Sequence, residues 1–113
     1  MKDYMYIIRG GEDIAALKSP EELQQHMQKW QTWMGGIAQA GQFIAGQPLM
    51  REGKSLTNGG ATVVDRPLAE AKELVAGYLI FKASSLDEAV QLAKGCPGFE
   101  HDCTIEVREI RPM

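Results

Sequence analysis

Two residues of the sequence carry side chains suited to proton transfer, His26 and Asp65. A neutral imidazole near pH 7 can accept or donate a proton, and the chain has only 2 histidines to consider. A carboxylate within hydrogen-bond reach would fix the tautomer of the imidazole and raise its basicity, and Asp65 at a predicted strand end could supply it. This pair predicts acid/base chemistry with His26 as the base and Asp65 as its partner.

Both residues also have a structural alternative. His26 falls with Trp33 at the border of the apolar face of a predicted helix, where it could pack beside Trp30 or face solvent. Asp65 stands before Pro67 at a turn, where an aspartate often accepts hydrogen bonds from backbone N–H groups or caps a short helix, here over residues 67–74. Capping by Asp65 is compatible with a catalytic role.

Three further residues are predicted to bind a ligand: Arg9, Trp30 and Arg66. Arg9 closes the first predicted strand and Arg66 follows Asp65, and a guanidinium group can hold an anion or a developing negative charge. The alternatives are arginines that only face solvent and a tryptophan that packs in the core or at a dimer contact. Together these residues predict a site for a small anionic or aromatic molecule.

Length and composition favour one soluble domain over residues 1–113. The hydrophobic fraction of 44% and the charged fraction of 24% are typical of globular proteins. The net charge is -3, and the 12 basic residues are scattered among 15 acidic ones, which argues against nucleic-acid binding. No apolar run is long enough to span a membrane and no signal-peptide pattern opens the chain, so we expect a cytoplasmic protein that does not bind membranes.

The two cysteines, Cys96 and Cys103, are expected to be reduced structural thiols. A zinc site here would need more ligands, and the nearest candidates are Glu100, His101 and Asp102. The default interpretation of His101 is a solvated loop residue. Walker A, Gly-x-Gly-x-x-Gly, Gly-x-Ser-x-Gly and His-Glu-x-x-His motifs do not occur in the sequence. We therefore expect no cofactor and no metal.

Two helices that could position these residues are predicted from their start signals. Ser19 and Glu22 form a capping box around Pro20, and the first helix should run from about Pro20 to Ala40. A second box begins another helix at Ser85. Apolar spacing predicts the buried faces, which are Leu23, Met27, Trp30, Met34 and Ile37 in the first helix and Leu86, Ala89, Val90 and Ala93 in the second.

Six segments have the composition of strands and are bounded by turn residues. They are residues 4–9, 43–49, 55–57, 61–64, 76–82 and 104–110. In the first strand, alternation places Tyr4, Tyr6 and Ile8 on one side. Gly46 and Pro48 predict a bulge or an edge position for the second strand, whereas residues 76–82 are apolar on both faces and predict a central strand.

The order of elements predicts an α+β fold of the ferredoxin-like βαββαβ type, with an antiparallel sheet and two helices on one face. The other face of the sheet is then bare. With Tyr4, Tyr6, Phe43 and Phe81 among the strand side chains, we expect that face to be too apolar for water. A second copy of the chain would cover it, which predicts a homodimer.

The stretch from Asp65 to Tyr78 resembles the signature of the YCII-related family, in particular the branch named for its Asp-Gly-Pro-Phe motif. Arg66 stands where that branch has glycine, and Leu68 where it has phenylalanine. The similarity extends over nearly the whole chain. The residues that fit the signature are Asp65, Pro67, Glu70, Lys72, Glu73, Gly77 and Tyr78.

The resemblance implies a dimeric α/β barrel in which a His and Asp pair lies in a cleft, with the histidine on the first helix, as His26 is. It supports a small homodimeric enzyme of isomerase or lyase type, free of cofactors, that acts on a small anionic or aromatic molecule. Two alternatives stay open. One is a non-catalytic ligand-binding or regulatory module, because members resembling this branch are often encoded beside extracytoplasmic-function sigma factors. The other is a purely structural dimer.

Overall fold

The computed structural model describes residues 1–11, 19–67 and 72–113. These ranges do not include positions 68 and 70 of the family signature. They also do not include part of the short helix predicted over residues 67–74. Every other predicted helix and strand is present, with ends shifted by one or two residues. The elements are β1 (Lys2–Gly10), α1 (Pro20–Gln39), β2 (Phe43–Pro48), β3 (Ser55–Thr57), β4 (Thr62–Val64), β5 (Val75–Ala83), α2 (Leu86–Ala93) and β6 (Cys103–Glu109), with 3₁₀ turns at Asn58–Gly60 and Pro97–His101.

Four strands form an antiparallel sheet in the order β2-β5-β1-β6, and β3 pairs with β4 in a separate hairpin. The central position of β5 and the edge position of β2 confirm the predictions from apolar patterning. The predicted bulge in β2 is also present, as a register shift between Phe43 and Ala45. With α1 and α2 as the two crossovers, this is the ferredoxin-like arrangement.

Gly77 allows β2 and β5 to approach closely. It lies opposite Pro48, and a Cβ atom added to it would stand 2.9 Å from the carbonyl oxygen of Gln47. A side chain at this position would force the two strands apart. The glycine of the family signature is therefore required by strand packing.

Both helices begin where the capping signals predict. The Ser19 hydroxyl accepts a hydrogen bond from the Glu22 N–H at 3.1 Å, and the Ser85 hydroxyl accepts one from the Glu88 N–H at 3.1 Å. In the part of the chain that the structure describes, neither helix has both the length and the apolar character needed to cross a bilayer.

The core lies between the sheet and the two helices. Tyr4, Tyr6 and Ile8 of β1 are buried on this side, and the paired register places Leu79 and Phe81 of β5 beside them. The Tyr6 and Phe81 rings meet edge to face with centroids 4.7 Å apart. The predicted grouping of β1 side chains is confirmed, and the helices cover this face.

The close contact of α2 with the sheet depends on alanines. Ala89 and Ala93 are buried, and the Tyr6 hydroxyl donates a hydrogen bond to the Ala89 carbonyl. Leu86 and Val90 are 50% and 37% exposed, so their predicted burial is wrong. The small side chains of Ala89 and Ala93 let the helix approach the sheet closely, whereas Leu86 and Val90 lie at its outer side.

The two helices lie on one face of the sheet, as predicted, but the residues that line the other face differ from the predicted ones. Tyr4, Tyr6 and Phe81 are buried under the helices, and Phe43 packs against the same core. None of these four side chains therefore lies on the other face. The strand register places another apolar set there, because side chains alternate along each strand. That set, here called the open face, is Met5, Ile7, Tyr78 and Ile80.

Candidate functional site

His26 is a buried polar side chain on α1, with only 4% of its surface exposed. The spacing of apolar residues places it at the border of the helix face, whereas Leu23 and Met27 are expected inside. The structure reverses this order, since Leu23 and Met27 are 38% and 46% exposed. The first two turns of α1 are therefore rotated so that the histidine, and not the neighbouring aliphatic residues, faces the interior.

Trp30 engages one of the two ring nitrogens of His26. Its indole Nε1–H donates a hydrogen bond to His26 Nε2 at 2.8 Å, one turn along the helix. The other nitrogen, Nδ1, is buried and has no hydrogen-bond partner among the residues that the structure describes. Leaving a buried polar group unpaired costs about 1–3 kcal/mol, so such a group is a place where a ligand would stabilise the protein.

Glu100 and His101 complete a cluster with His26. The rings of His26 and His101 are perpendicular, with centroids 4.4 Å apart. One ring nitrogen of each histidine and a carboxylate oxygen of Glu100 lie within 4.8 Å of one another. An atom at the centre of such a triangle would lie about 2.8 Å from each corner, which is a hydrogen-bond length.

The 3₁₀ turn Pro97–His101 brings Glu100 and His101 to α1. Cys96 caps its start, accepting a hydrogen bond from the Gly98 N–H at 3.4 Å, and Asp102 ends it in the left-handed conformation with φ 62°. Gly98 lies against the ring of Trp30, because a Cβ atom there would be 3.4 Å from Trp30 Cζ2. The turn therefore packs directly on the tryptophan that bonds His26.

Lys29 holds Glu100 at the outer side of the cluster. Its ammonium group binds both carboxylate oxygens of Glu100, at 3.1 and 3.0 Å, and the two side chains are 55% and 52% exposed. This pairing lowers the pKa of the Glu100 carboxyl, so the group stays ionised.

The same ion pair forms part of the wall of an open groove of about 870 Å³ between α1 and the segment that follows α2. Its walls are both apolar and basic. They include Trp33, Phe99, Lys29 and Lys94.

His26 is kept neutral by its surroundings. Burial lowers the pKa of its imidazole, and the His101 ring and the Lys29 ammonium lower it further, while the Glu100 carboxylate opposes them. The uncharged ring is therefore the form present near neutral pH.

His26, Glu100 and His101 could also be considered as metal ligands, since two imidazoles and a carboxylate are a set that zinc accepts. Two contacts oppose this use. Nε2 of His26 already accepts the Trp30 hydrogen bond, and both oxygens of Glu100 bind Lys29. Neither Cys96 nor Cys103 belongs to the cluster.

Asp65 does not form the predicted hydrogen bond with His26 in this structure. Its carboxylate is 87% exposed and pairs with Lys54 at 3.3 Å. Neither ring nitrogen of His26 bonds to it, because Nε2 bonds Trp30 and Nδ1 has no partner. Pairing of His26 with Asp65 in the working protein stays a prediction.

The two arginines predicted to bind a ligand have contacts of their own. Arg9 donates to the Glu73 carbonyl at 3.1 Å and lies 3.7 Å from a carboxylate oxygen of Glu106. Arg66 is exposed beside the β3–β4 hairpin and donates to the Pro67 carbonyl at 3.2 Å. Of the five predicted site residues, His26 and Trp30 are the two that these contacts join.

Cys96 and Cys103 are free thiols, as predicted. Burial raises the pKa of Cys96 to about 12, and burial also raises that of Cys103. Thiols held protonated in this way are poor nucleophiles. Both cysteines therefore serve the packing of the turn that carries Glu100 and His101.

Sequence reasoning missed Glu100 and His101 as partners of His26. Lys29 and Glu100 are 71 positions apart, and no local spacing links α1 to the turn. The available signal was the pattern Cys96-Pro97-Gly98, which predicts a tight turn after a helix, but it does not say what that turn packs against.

Comparison with known proteins identifies a family and a similarity to solved structures. The profile of the YCII-related domain matches residues 3–113. Among solved structures, the chain is similar to 5-chloro-2-hydroxyhydroquinone dehydrochlorinase from Burkholderia phenoliruptrix AC1100, in complex with 2,5-dihydroxybenzoquinone. The identity is 17% and the TM-score 0.47, over 96% of this chain and 93% of that one. No curated protein matches the chain.

Proposed function

The chain belongs to the YCII-related family, and from its site we propose that it is a cofactor-free enzyme that binds a small anionic or aromatic molecule beside His26 and transfers a proton on it. The observation that carries this proposal is the buried His26 ring with an unpartnered Nδ1, next to Glu100 and His101. A neutral imidazole and a second titratable ring within 4.8 Å can hold and move a proton.

The groove supplies a place for the body of the substrate. Trp33 and Phe99 offer apolar surface to a ring, and Lys29 and Lys94 offer positive charge to an anionic group. Entry to His26 requires the Lys29–Glu100 pair to move aside. Because exposed ion pairs contribute only about 0–1 kcal/mol, a bound anion can replace this one.

The reaction type is proton abstraction from a carbon next to a carbonyl group. The C–H proton passes to an imidazole, and the electron pair moves onto the carbonyl oxygen, where a hydrogen-bond donor stabilises it. Return of the proton at another carbon completes an isomerisation, and departure of a leaving group with the electron pair completes an elimination.

A fragment screen tests the proposal. We expect small carboxylates and phenols to raise the thermal midpoint of the wild type, since a ligand that binds the folded state stabilises it. Replacement of His26 by Asn should abolish these shifts, and Gln24→Ala, at an exposed position of α1, should preserve them. Hits that bind the His26 variant as well as the wild type, or no hits at all, would count against the proposal.

We further propose that the protein is a cytoplasmic homodimer formed through the open face. Met5, Ile7, Tyr78 and Ile80 give this face a continuous apolar character on two adjacent strands. Light scattering at micromolar concentration should report twice the mass of one chain. The free thiols agree with a reducing compartment.

A further inference from the structure

We infer that Trp30 is a positioning residue that fixes His26 as the Nδ1–H tautomer, so that His26 acts as a hydrogen-bond donor to an acceptor oxygen of the substrate and not as the base. This inference rests on the proposed function and assigns roles within its site.

The tautomer follows from the chemistry of the two rings. The indole of Trp30 can only donate, so the nitrogen that it faces, Nε2 of His26, must present a lone pair. A neutral imidazole carries one hydrogen, which then resides on Nδ1. Among the described residues, Nδ1 is the buried nitrogen without a hydrogen-bond partner. The group that is open to a ligand is therefore an N–H.

Trp30 is held in place by its own contacts. Its ring meets Trp33 edge to face with centroids 5.6 Å apart, and Trp33 meets Phe81 of the core in the same way at 5.6 Å. Trp33 donates its indole N–H to the Leu92 carbonyl at 3.1 Å, and Gly98 closes the space beside Trp30. A row of packed rings thus links the core to His26 and aims the Trp30 N–H.

The role of His26 follows from the tautomer. A ring whose Nδ1 carries hydrogen and whose Nε2 faces an N–H cannot take up another proton without turning that contact into a repulsion between two donors. The lowered pKa of His26 agrees with a ring that stays neutral. The proton acceptor is then a group other than His26, and His101 is the second imidazole of the same cluster.

Ligand class and metal binding follow from the same hydrogen bond. The substrate must place a carbonyl, enolate, phenolate or carboxylate oxygen at Nδ1–H, and groups that only donate should be rejected. A metal ion on Nδ1 would require hydrogen on Nε2, where the Trp30 N–H already points. The Trp30 contact therefore selects oxygen acceptors over metal ions.

Nitrogen NMR of the ligand-free protein with labelled histidine tests the tautomer directly. We expect His26 to show a protonated Nδ1 and a bare Nε2 at neutral pH. Trp30→Phe keeps the ring but removes the N–H, and the His26 signals should move toward a mixture of tautomers. Gln24→Ala, at an exposed position of α1, should leave them unchanged.

Three results would overturn the inference: a wild-type His26 protonated on Nε2, no response to Trp30→Phe, or a shift of the His26 nitrogens when Zn²⁺ alone is added. Because no ligand is present in the tautomer measurement, its result is independent of the fragment screen. In that screen, hits lost with His26→Asn should all carry an acceptor oxygen, and a His26-dependent hit with donor groups only would contradict the assigned role.

Discussion

Lys29 binds Glu100 through both carboxylate oxygens, at 3.1 and 3.0 Å, and so joins α1 to a turn 71 positions further along the chain. The pair is exposed and forms part of the wall of the groove, and Glu100 also belongs to the cluster around the buried ring of His26. It therefore connects the surface where a ligand would arrive with the interior where chemistry would occur.

The first prediction concerns the charge of Glu100. Lys29→Gln should raise the pKa of the Glu100 carboxyl toward its ordinary value, because the hydrogen bonds and the positive charge that lower it are lost. Carbon NMR titration of the carboxylates would measure the change. Lys94→Gln, on the same groove but without a bond to Glu100, is the control and should have little effect. An unchanged Glu100 titration in Lys29→Gln would refute the ion pair as its cause.

The second prediction concerns stability and pH. The pKa of His26 is lower in the folded protein than its ordinary value of 6.5, so the unfolded chain binds a proton first as pH falls. The free energy of unfolding should therefore be highest at pH values above 6.5 and should decrease as the pH falls below 6.5. Burial, His101 and Lys29 cause the shift, and Glu100 opposes it.

Urea denaturation between about pH 7.5 and about pH 5.5 would measure this decrease, since the window lies around the ordinary histidine pKa. His26→Gln should flatten the curve in that window. Glu88 and Glu100 have lowered pKa values, so they change the free energy of unfolding only below their ordinary pKa of 4.5. Their effect therefore falls outside the pH window of His26. A wild-type curve without slope in the histidine window would contradict the lowered pKa.

The sequence was sufficient for the elements and for their order in the sheet. Capping residues placed the helix starts, and alternation placed Tyr4 and Tyr6 on one side of β1, because both signals are local. Faces that depend on packing were less predictable. His26 is buried and Met27 exposed because α1 packs against the Pro97–His101 turn, a contact that no periodicity encodes.

The same limit explains the open face and the site. Alternation groups the side chains of a strand but does not say which group the helices cover, and the helices cover Tyr4, Tyr6 and Phe81. Trp30 was predicted as a ligand contact, and its partner in the structure is His26. Glu100 and His101 required a tertiary contact that cannot be inferred from one sequence.

The third prediction concerns Gly98 in the turn beneath the site. A Cβ atom there would lie 2.8 Å from the Cys103 sulfur and 3.4 Å from Trp30 Cζ2. Gly98→Ala should therefore destabilise the protein by about 1–3 kcal/mol through overpacking, and it should displace Trp30 and alter the His26 NMR signals. Chemical denaturation and NMR would measure both effects.

Gly36→Ala is the matched control for that experiment. Gly36 lies within α1, and a Cβ atom added to it meets nothing within 4 Å. Because alanine is favoured over glycine inside a helix, this variant should gain about 0.5–1 kcal/mol. Equal effects of the two substitutions would show that close packing at Gly98 is not important.

The fourth prediction concerns the open face. Ile80→Lys places a charge at its centre, and light scattering should then report single chains. Val63→Lys is the control, since Val63 is a 58% exposed apolar residue of the β3–β4 hairpin, and it should leave the mass unchanged. A dimer that survives Ile80→Lys would require a different interface.

Within residues 1–11, 19–67 and 72–113, the side chains of the candidate cluster belong to one helix and one short turn. The scaffold can thus stay constant while the periphery diverges. Substitution of a few residues on the helix and the turn would suffice to change the specificity of the site, and the hydrophobic core would need no change. Proteins that share this fold can therefore differ in substrate while the sheet and its core stay the same.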